Sequence, residues 1–141
     1  MFTNEVKIRV RYAETDQMNV VYHGNYAQYF EVARVETMRS LGISYKEMED
    51  NGIMLPVLEL NIKYVKPAYY DDILTVRTEI REIPSIRVIF YYEIFRKENE
   101  ILTIGNTTLV FFDIKKKKPT PAPDYITEKL QPYFKDRKIE K

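Results

Sequence analysis

The feature that most constrains the fold is one long stretch with helical periodicity, residues 25–41, in a chain whose other apolar residues mostly alternate. Gly42 stands where a helix C-terminal glycine is expected. A short second helix is predicted next, because Ser44 and Glu47 have capping-box spacing and Gly52 ends the segment. The apolar residues of the long helix predict that it is heavily buried, and they are Tyr26, Tyr29, Phe30, Val32, Ala33, Val35, Met38 and Leu41.

Strand patterns fill most of the remaining chain. An antiparallel sheet with one apolar face needs an apolar element against that face, and the long helix supplies one. The sequence therefore predicts an α+β fold in which a curved antiparallel sheet encloses one central helix. Apolar and polar residues alternate with the two-residue period of a half-buried strand in residues 5–12, 58–64, 74–81, 86–94 and 101–112.

Composition narrows the possible functions. A chain of 141 residues with 45% hydrophobic residues suits one domain, and a net charge of +1 gives no basic excess for nucleic-acid binding. Cysteine is absent, which excludes disulfides and thiolate chemistry, and with no apolar signal segment after Met1 we expect a cytoplasmic protein. No run of about 20 apolar residues predicts a membrane span. One histidine is too few for a two-histidine metal site, so we expect no metal and no cofactor.

The C-terminal segment differs in character from the rest. Residues 115–118 are four consecutive lysines, and three prolines follow within residues 119–123. Because proline donates no ladder hydrogen bond, we expect the sheet to end near Asp113. The lysine run is most simply a solvated linker.

These patterns divide the chain into a domain over residues 1–114 and a Lys/Pro-rich extension over residues 115–141. The extension is predicted to contain a short helix that Asp124 caps and that runs through Leu130, before Pro132.

Asp16 lies between the first strand and the long helix. The start of a helix presents unpaired N–H groups and a positive dipole, which would polarise an acyl carbonyl docked there. The Asp16 carboxylate would then be close enough to attack the carbonyl or to activate a water. Spacing alone favours a simpler role, because aspartate commonly caps turns before helices.

A longer pattern surrounds Asp16 and makes the chain similar to a known family. The chain resembles the hotdog-fold acyl-CoA thioesterases of the 4-hydroxybenzoyl-CoA thioesterase and YbgC-like kind, over roughly residues 5–113. The resemblance continues in Phe30, Glu31, Arg34 and the segment 61–76. The positions that carry it at fixed spacing are Tyr12, Thr15, Asp16, Val20, Val21, Tyr22, His23, Gly24, Asn25 and Tyr26.

The chain departs from the family pattern at Asn19, where relatives usually have glycine. Asparagine is the non-glycine residue that best tolerates positive φ, so we expect the turn to survive.

The resemblance implies hydrolysis of an acyl-CoA thioester, with Asp16 as the catalytic carboxylate. Asp16 would act as a nucleophile or as a general base, and the sequence does not choose between these roles. The resemblance also assigns the carbonyl-polarising donor to the backbone N–H of His23, with Gly24 beside it. A catalytic role for the His23 side chain is disfavoured, because a lone imidazole needs a placed partner.

The same resemblance suggests substrate-binding residues. Tyr22, Asn25 and Tyr26 belong to the shared motif and are candidates for the pocket. Glu31 is a secondary candidate, although a helical ion pair with Arg34 three residues later is the favoured interpretation. The coenzyme A phosphates are expected near basic side chains at the rim of the pocket, and the candidates are Lys63, Lys66 and Arg87.

Partners and alternatives also follow from the family. Domains of this kind pair edge to edge, so a homodimer or homotetramer with sites between chains is expected. The lysines at 115–118 would contact either the phosphates of coenzyme A or an acyl carrier protein, which is a second candidate partner. A non-catalytic module that binds acyl-CoA or acyl carrier protein is the main alternative, and such a module has no need of Asp16. A hotdog dehydratase fits less well, because the surroundings of His23 do not resemble that motif.

Overall fold

The computed structural model describes residues 1–134, and residues 135–141 lie outside the described part of the chain. The strands are β1 Phe2–Arg9, β2 Ile53–Met54, β3 Val57–Tyr64, β4 Ile73–Ile80, β5 Arg87–Phe95, β6 Ile101–Val110, β7 Phe112–Asp113 and β8 Lys118–Pro119. The helices are α1 Tyr26–Ser40, α2 Tyr45–Asp50 and α3 Asp124–Leu130, with short 3-10 turns at Tyr12–Glu14, His23–Asn25 and Gln131–Tyr133.

Five strands form the main sheet in the order β1-β4-β5-β6-β3, and each neighbouring pair is antiparallel. A second, small sheet has the order β2-β7-β8. The predicted α+β architecture, an antiparallel sheet with one main helix, is confirmed. No helix within residues 1–134 has the length and apolar character needed to cross a membrane.

The core lies between α1 and one face of the main sheet. Alternate residues of β4 and β5, such as Leu74, Val76 and Phe90, are fully buried, while their neighbours face outward. From α1, Phe30 stacks on Tyr92 of β5 with the ring centroids 4.1 Å apart. Burying one such aromatic side chain contributes about 1.5–3 kcal/mol, so this helix is anchored mainly by its aromatic face.

Two details of the predicted elements are wrong. The first strand ends at Arg9 rather than at residue 12, because the chain turns at Tyr12–Glu14 and Tyr12 is 76% exposed. Val32 of α1 is 44% exposed, so the helix is not buried on all sides. Val32 lies away from the stripe of buried residues, which recurs every three or four positions from Tyr26 to Met38.

The sheet structure also continues beyond Asp113, contrary to prediction. Asp113 pairs with Lys118, and Phe112 pairs with Pro119. β8 is the edge of its small sheet, where the missing N–H of a proline is tolerated. The lysines are exposed, but they form a hairpin turn rather than a linker, and Asp113 Oδ1 accepts hydrogen bonds from the N–H groups of Lys115 and Lys116 at 3.0 Å each.

The predicted C-terminal helix is present as α3. Its N-cap residue is Pro123, and Asp124 is the first helical residue with no side-chain capping bond, so the predicted cap is wrong. Ile126 and Leu130 are fully buried in the same hydrophobic cluster as the residues of α1. The segment after the lysine turn therefore completes the core.

Gly105 of β6 gives a test of how closely α1 packs on the sheet. A Cβ atom there would lie 2.6 Å from the Asn61 carbonyl oxygen and 2.6 Å from Cε2 of Phe30. We expect Gly105→Ala to lower the free energy of unfolding by about 1–3 kcal/mol, because neither neighbour has room to move. Urea denaturation measures this, with Ile104→Val on the exposed face as the one-methyl control, expected to change stability by no more than about 0.5 kcal/mol. Equal effects of the two substitutions would contradict the close approach.

Candidate active site

Asp16 begins a tight hairpin turn between the end of the Tyr12–Glu14 turn and the start of α1. Its N–H donates to the Val20 carbonyl and its own carbonyl accepts from the Asn19 N–H, both at 2.9 Å. Its Oδ1 accepts a hydrogen bond from the Met18 N–H at 2.8 Å. Asn19 has a φ of 65°, which confirms that asparagine here takes the left-handed conformation.

The turn-capping role expected from spacing alone is therefore real, but it uses one oxygen only. Within residues 1–134 no hydrogen bond engages the other carboxylate oxygen, Oδ2. Asp16 is half-buried and lines an open cavity. One oxygen of the carboxylate thus fixes the turn, while the other remains available for chemistry.

The start of α1 lies against the same cavity. The 3-10 turn His23–Asn25 runs directly into the helix, and the Asn25 N–H donates to the Tyr22 carbonyl at 2.9 Å. The N–H groups of His23 and Gly24 come before the first closed turn and have no backbone acceptor among the described residues. Two donors therefore stand at the positive end of the helix dipole.

The cavity has a volume of about 320 Å³ and opens to solvent. It lies between the Asp16 hairpin, the start of α1 and the segment after β3. Its principal lining residues are Asp16, Val20, His23, Tyr26, Tyr64 and Lys66.

Backbone pairing holds the two loops of the cavity together. The Val21 N–H donates to the Ala68 carbonyl at 2.8 Å, and Val20 forms an isolated bridge with Tyr69. Arg96 supports the second loop from behind, because its guanidinium donates to the Pro67 carbonyl and to Asp72 Oδ2, each at 3.1 Å. The hydrogen-bonded carboxylates of Glu100 and Asp72 raise the pKa of Arg96, so this support stays charged.

Aromatic side chains form one wall of the site. The Tyr64 hydroxyl donates to the His23 carbonyl at 3.0 Å, and the rings of Tyr26 and Tyr64 lie 5.2 Å apart. Burial raises the pKa of Tyr26, which keeps its hydroxyl neutral. Sequence reasoning missed Tyr64, which was read only as an alternating strand residue. Its place in the segment 61–76, over which the family resemblance continues, was the available indication.

Glu14 is a second residue that sequence reasoning missed. It is only 7% exposed, yet its carboxylate accepts hydrogen bonds from the Arg11 backbone and side chain and from the Tyr29 hydroxyl. Burial acts to raise the pKa of Glu14, but the hydrogen bonds from Arg11 and Tyr29 outweigh it and hold that pKa below its ordinary value. Burial, together with the neighbouring Glu14, raises the pKa of Tyr29. The pair is therefore a carboxylate bound by a neutral phenol.

The structure brings together four of the predicted site residues, Asp16, His23, Tyr26 and Lys66, around the cavity. Gly24 adjoins them in the same turn, and a Cβ on it would lie 2.7 Å from Cε2 of Tyr22. Tyr22 itself is 47% exposed and packs against the His23 ring, with the ring centroids 4.4 Å apart.

Three other predicted residues have different surroundings within one protomer. The Asn25 side-chain amide donates to the Glu14 carbonyl at 2.8 Å, which is a structural bond. Lys63 pairs with the outward-facing Ile104 and lies on the outer face of β3. Glu31 is exposed, does not line the cavity, and forms no ion pair with Arg34 among the described residues, so the favoured pairing is wrong.

Arg87 is separated from the site by the length of a strand. It pairs with Val110 at one end of β5, whereas Ile94 and Thr103 pair at the end nearer Tyr64. Seven residues of strand correspond to roughly 23 Å. Arg87 instead lines a different cavity of about 130 Å³, together with Glu82 and Ser85.

No group of three histidine, cysteine or acidic side chains within residues 1–134 is arranged to hold a metal ion. The reactive groups at the cavity include the Asp16 carboxylate, the His23 imidazole and the Lys66 ammonium, and the free backbone N–H groups of His23 and Gly24 lie in the adjoining turn. This set fits attack on a carbonyl whose oxygen becomes negative.

Comparison with known proteins identifies the family. The model of the thioesterase-like superfamily matches residues 10–130. The chain belongs to that superfamily. The resemblance inferred from the motif around Asp16 is thereby confirmed.

Individual thioesterase-like relatives agree with this assignment. The chain is 35% identical to the putative acyl-CoA thioesterase YneP of Bacillus subtilis, over 84% of this chain and 86% of that protein. It is 31% identical to the acyl-CoA thioester hydrolase YbgC of Escherichia coli, over 88% and 92% of the two chains. The structure of a DHNA-CoA thioesterase from Staphylococcus aureus superposes with a TM-score of 0.87 at 38% identity and covers 99% of this chain and 94% of that one.

Proposed function

We propose that this chain is an acyl-CoA thioesterase, which hydrolyses a thioester to a carboxylic acid and coenzyme A. The observation that carries the proposal is the cavity in which the free oxygen of Asp16 and the start of α1 meet. The relatives named as acyl-CoA thioesterases support the substrate class.

In the proposed reaction, the thioester carbonyl oxygen lies against the N–H groups of His23 and Gly24. As a nucleophile, Asp16 attacks the carbonyl carbon, the C–S bond breaks, and coenzyme A leaves as a thiolate that takes a proton from water. Water then cleaves the acyl-aspartyl anhydride and restores the carboxylate. As a general base, Asp16 instead removes a proton from a water molecule that attacks the carbonyl carbon directly, the C–S bond breaks, and the departing thiolate takes up the proton, which restores the carboxylate.

Both routes develop negative charge on the carbonyl oxygen, and the N–H groups of His23 and Gly24 would stabilise that charge. One good donor of this kind contributes about 3 kcal/mol to transition-state stabilisation. The thiolate is a good leaving group, so the reaction needs no strong general acid. The His23 imidazole is accordingly given no proton-transfer role, and among the described residues no carboxylate partners it.

Asp16→Asn tests the carboxylate directly. We expect kcat for acyl-CoA hydrolysis to fall by at least about 100-fold, because the amide keeps the turn bond to Met18 but neither attacks nor accepts a proton efficiently. Steady-state kinetics over a series of aliphatic and aromatic acyl-CoA substrates measures the loss and also defines the acyl preference.

The matched control is Asp71→Asn, which makes the same change at an exposed residue outside the cavity, where asparagine tolerates the φ of 69°. Its kcat should stay within about twofold. His23→Ala should have a milder effect than Asp16→Asn, because the backbone N–H survives the substitution. Turnover by Asp16→Asn close to that of the wild type would exclude Asp16 as the catalytic carboxylate, whereas a wild-type chain that hydrolyses no acyl-CoA would leave the non-catalytic binding module as the remaining function.

For the coenzyme A phosphates we propose Lys66, which lines the cavity and keeps a weak contact of 3.9 Å with Glu100. Contacts to Lys63 and Arg87 stay predictions, as do an acyl carrier protein as thioester donor and a cytoplasmic location. An ammonium at the rim binds phosphate while remaining hydrated, so its attraction is screened by salt.

We expect higher ionic strength to raise KM more than it lowers kcat. Lys66→Gln should raise KM several-fold and flatten this salt dependence, while Lys63→Gln on the outer face of β3 should change KM less. Kinetics between low and high salt measure both effects. An unchanged KM for Lys66→Gln, with no salt dependence in the parent protein, would exclude the phosphate contact.

We also propose a homodimer or homotetramer in which a second copy closes each site. β3 is an edge of the main sheet, so one side of its backbone has no partner strand within residues 1–134. Its apolar side chains are partly exposed, with Leu58 at 53% and Leu60 at 42%. An exposed apolar edge of this kind is stable in water only when it is covered.

Light scattering at micromolar concentration should therefore give at least the mass of a dimer. Leu58→Lys should shift the protein toward monomer and lower its activity, because a charge would enter the covered edge. The control is Ile73→Lys, at an apolar residue of β4 that is 45% exposed and away from that edge. A fully active monomer would contradict this assembly.

A further inference from the structure

Glu14 has an unusual position for a charged residue. It is two residues before Asp16, is only 7% exposed, and ends the 3-10 turn Tyr12–Glu14. Oε1 accepts from the Arg11 N–H at 2.9 Å and from the Tyr29 hydroxyl at 2.8 Å, and Oε2 accepts from the Arg11 guanidinium at 2.9 and 3.1 Å. Enclosing a charge in this way is costly unless it is fully paired, as it is here.

The backbone of Glu14 is bound as firmly as its side chain. Its carbonyl accepts hydrogen bonds from the Tyr22 N–H at 2.9 Å and from the Asn25 side-chain amide at 2.8 Å. Tyr22 and Asn25 flank His23 and Gly24. One residue therefore contacts both ends of the segment that carries the two free N–H donors.

The hairpin that carries Asp16 starts from this point. Thr15 pairs with Val21 across the hairpin. Next to this pair, Glu14 lies opposite Tyr22, and the Tyr22 N–H donates a hydrogen bond to the Glu14 carbonyl. The Tyr29 hydroxyl joins the base of the hairpin to the first turns of α1, where Tyr29 is 2% exposed. The hydrogen bonds of Glu14 thus connect the Asp16 hairpin to the start of α1.

We propose that Glu14 is a positioning residue for the reaction, and that the buried Glu14–Tyr29 hydrogen bond holds the Asp16 carboxylate in register with the N–H groups of His23 and Gly24. This inference rests on the proposed thioesterase function. Glu14 itself does not line the cavity, so it acts on the substrate only through Asp16. Displacement of a reacting group by about 1 Å is enough to cost 100-fold in rate, so the bond affects turnover rather than binding.

The test uses the full chain with Tyr29→Phe and Glu14→Gln. Tyr29→Phe keeps the buried ring and removes only the hydroxyl, so it is the variant expected to fold normally. Glu14→Gln keeps the shape and removes the charge that Arg11 and Tyr29 hold. We expect kcat to fall between about 10- and 100-fold in each, while KM and the affinity for free coenzyme A change less than about twofold.

Thr37→Val is the matched control. Thr37 is a fully buried residue of the same helix whose hydroxyl donates to the Ala33 carbonyl at 2.7 Å, two turns beyond Tyr29. It should lose stability without losing kcat when assayed well below its melting temperature. A purely structural role for Glu14 and Tyr29 would make their variants behave like Thr37→Val.

A double-mutant cycle separates this proposal from the one on which it rests. In the Asp16→Asn background, Glu14→Gln and Tyr29→Phe should cause no further loss of kcat, because there is no reactive carboxylate left to position. Wild-type kcat in both single variants, or losses that multiply in the Asp16→Asn background, would overturn the positioning role. Full activity of Asp16→Asn alone would instead overturn the proposed catalytic role of Asp16, and hydrolysis by no form of the chain would overturn the proposed function.

Discussion

The packing of α1 against the main sheet is the interaction on which the rest of the structure depends. Phe30 approaches Gly105 so closely that no side chain fits on β6 at that point, and its ring stacks on Tyr92. This contact fixes both the height of the helix above the sheet and its direction. The start of α1 then faces the ends of β3 and β6, and the cavity forms where the helix and the strand ends meet.

Hydrogen bonds join the loops on the cavity side of the molecule, in addition to the apolar packing that holds both ends. Around the cavity, three hydrogen bonds join the loops, and they connect Val21 with Ala68, Arg96 with Pro67 and Tyr64 with His23. At the far end, Ile126 and Leu130 of α3 complete the hydrophobic cluster. Directional bonds suit the first region because chemistry requires a defined geometry, and non-directional burial suffices for the second.

Much of this arrangement could be predicted from the sequence, because it depends on local patterns. The period of residues 25–41 gave α1 almost to its ends, and the motif from Tyr12 to Tyr26 gave Asp16 and His23. The prediction failed where distant segments decide the outcome. Nothing local indicates that the lysines at 115–118 close a hairpin, or that Glu14 is enclosed by Arg11 and Tyr29 rather than left in solvent. Charge alone suggested Lys63 and Arg87 as phosphate-binding residues, and charge does not reveal which face or end of a strand a residue occupies.

The two carboxylate oxygens of Asp16 differ in their hydrogen bonding, and this difference has a thermodynamic consequence. Because the Met18 N–H binds Oδ1, the carboxylate is already confined to one rotamer when the substrate arrives. In the proposed reaction, the entropy lost in orienting this carboxylate is therefore lost during folding and does not add to the activation barrier. A carboxylate on a longer and more flexible side chain would lose this conformational entropy in every catalytic cycle. The short aspartate side chain, which is hydrogen-bonded within its own turn, loses this entropy once, when the chain folds.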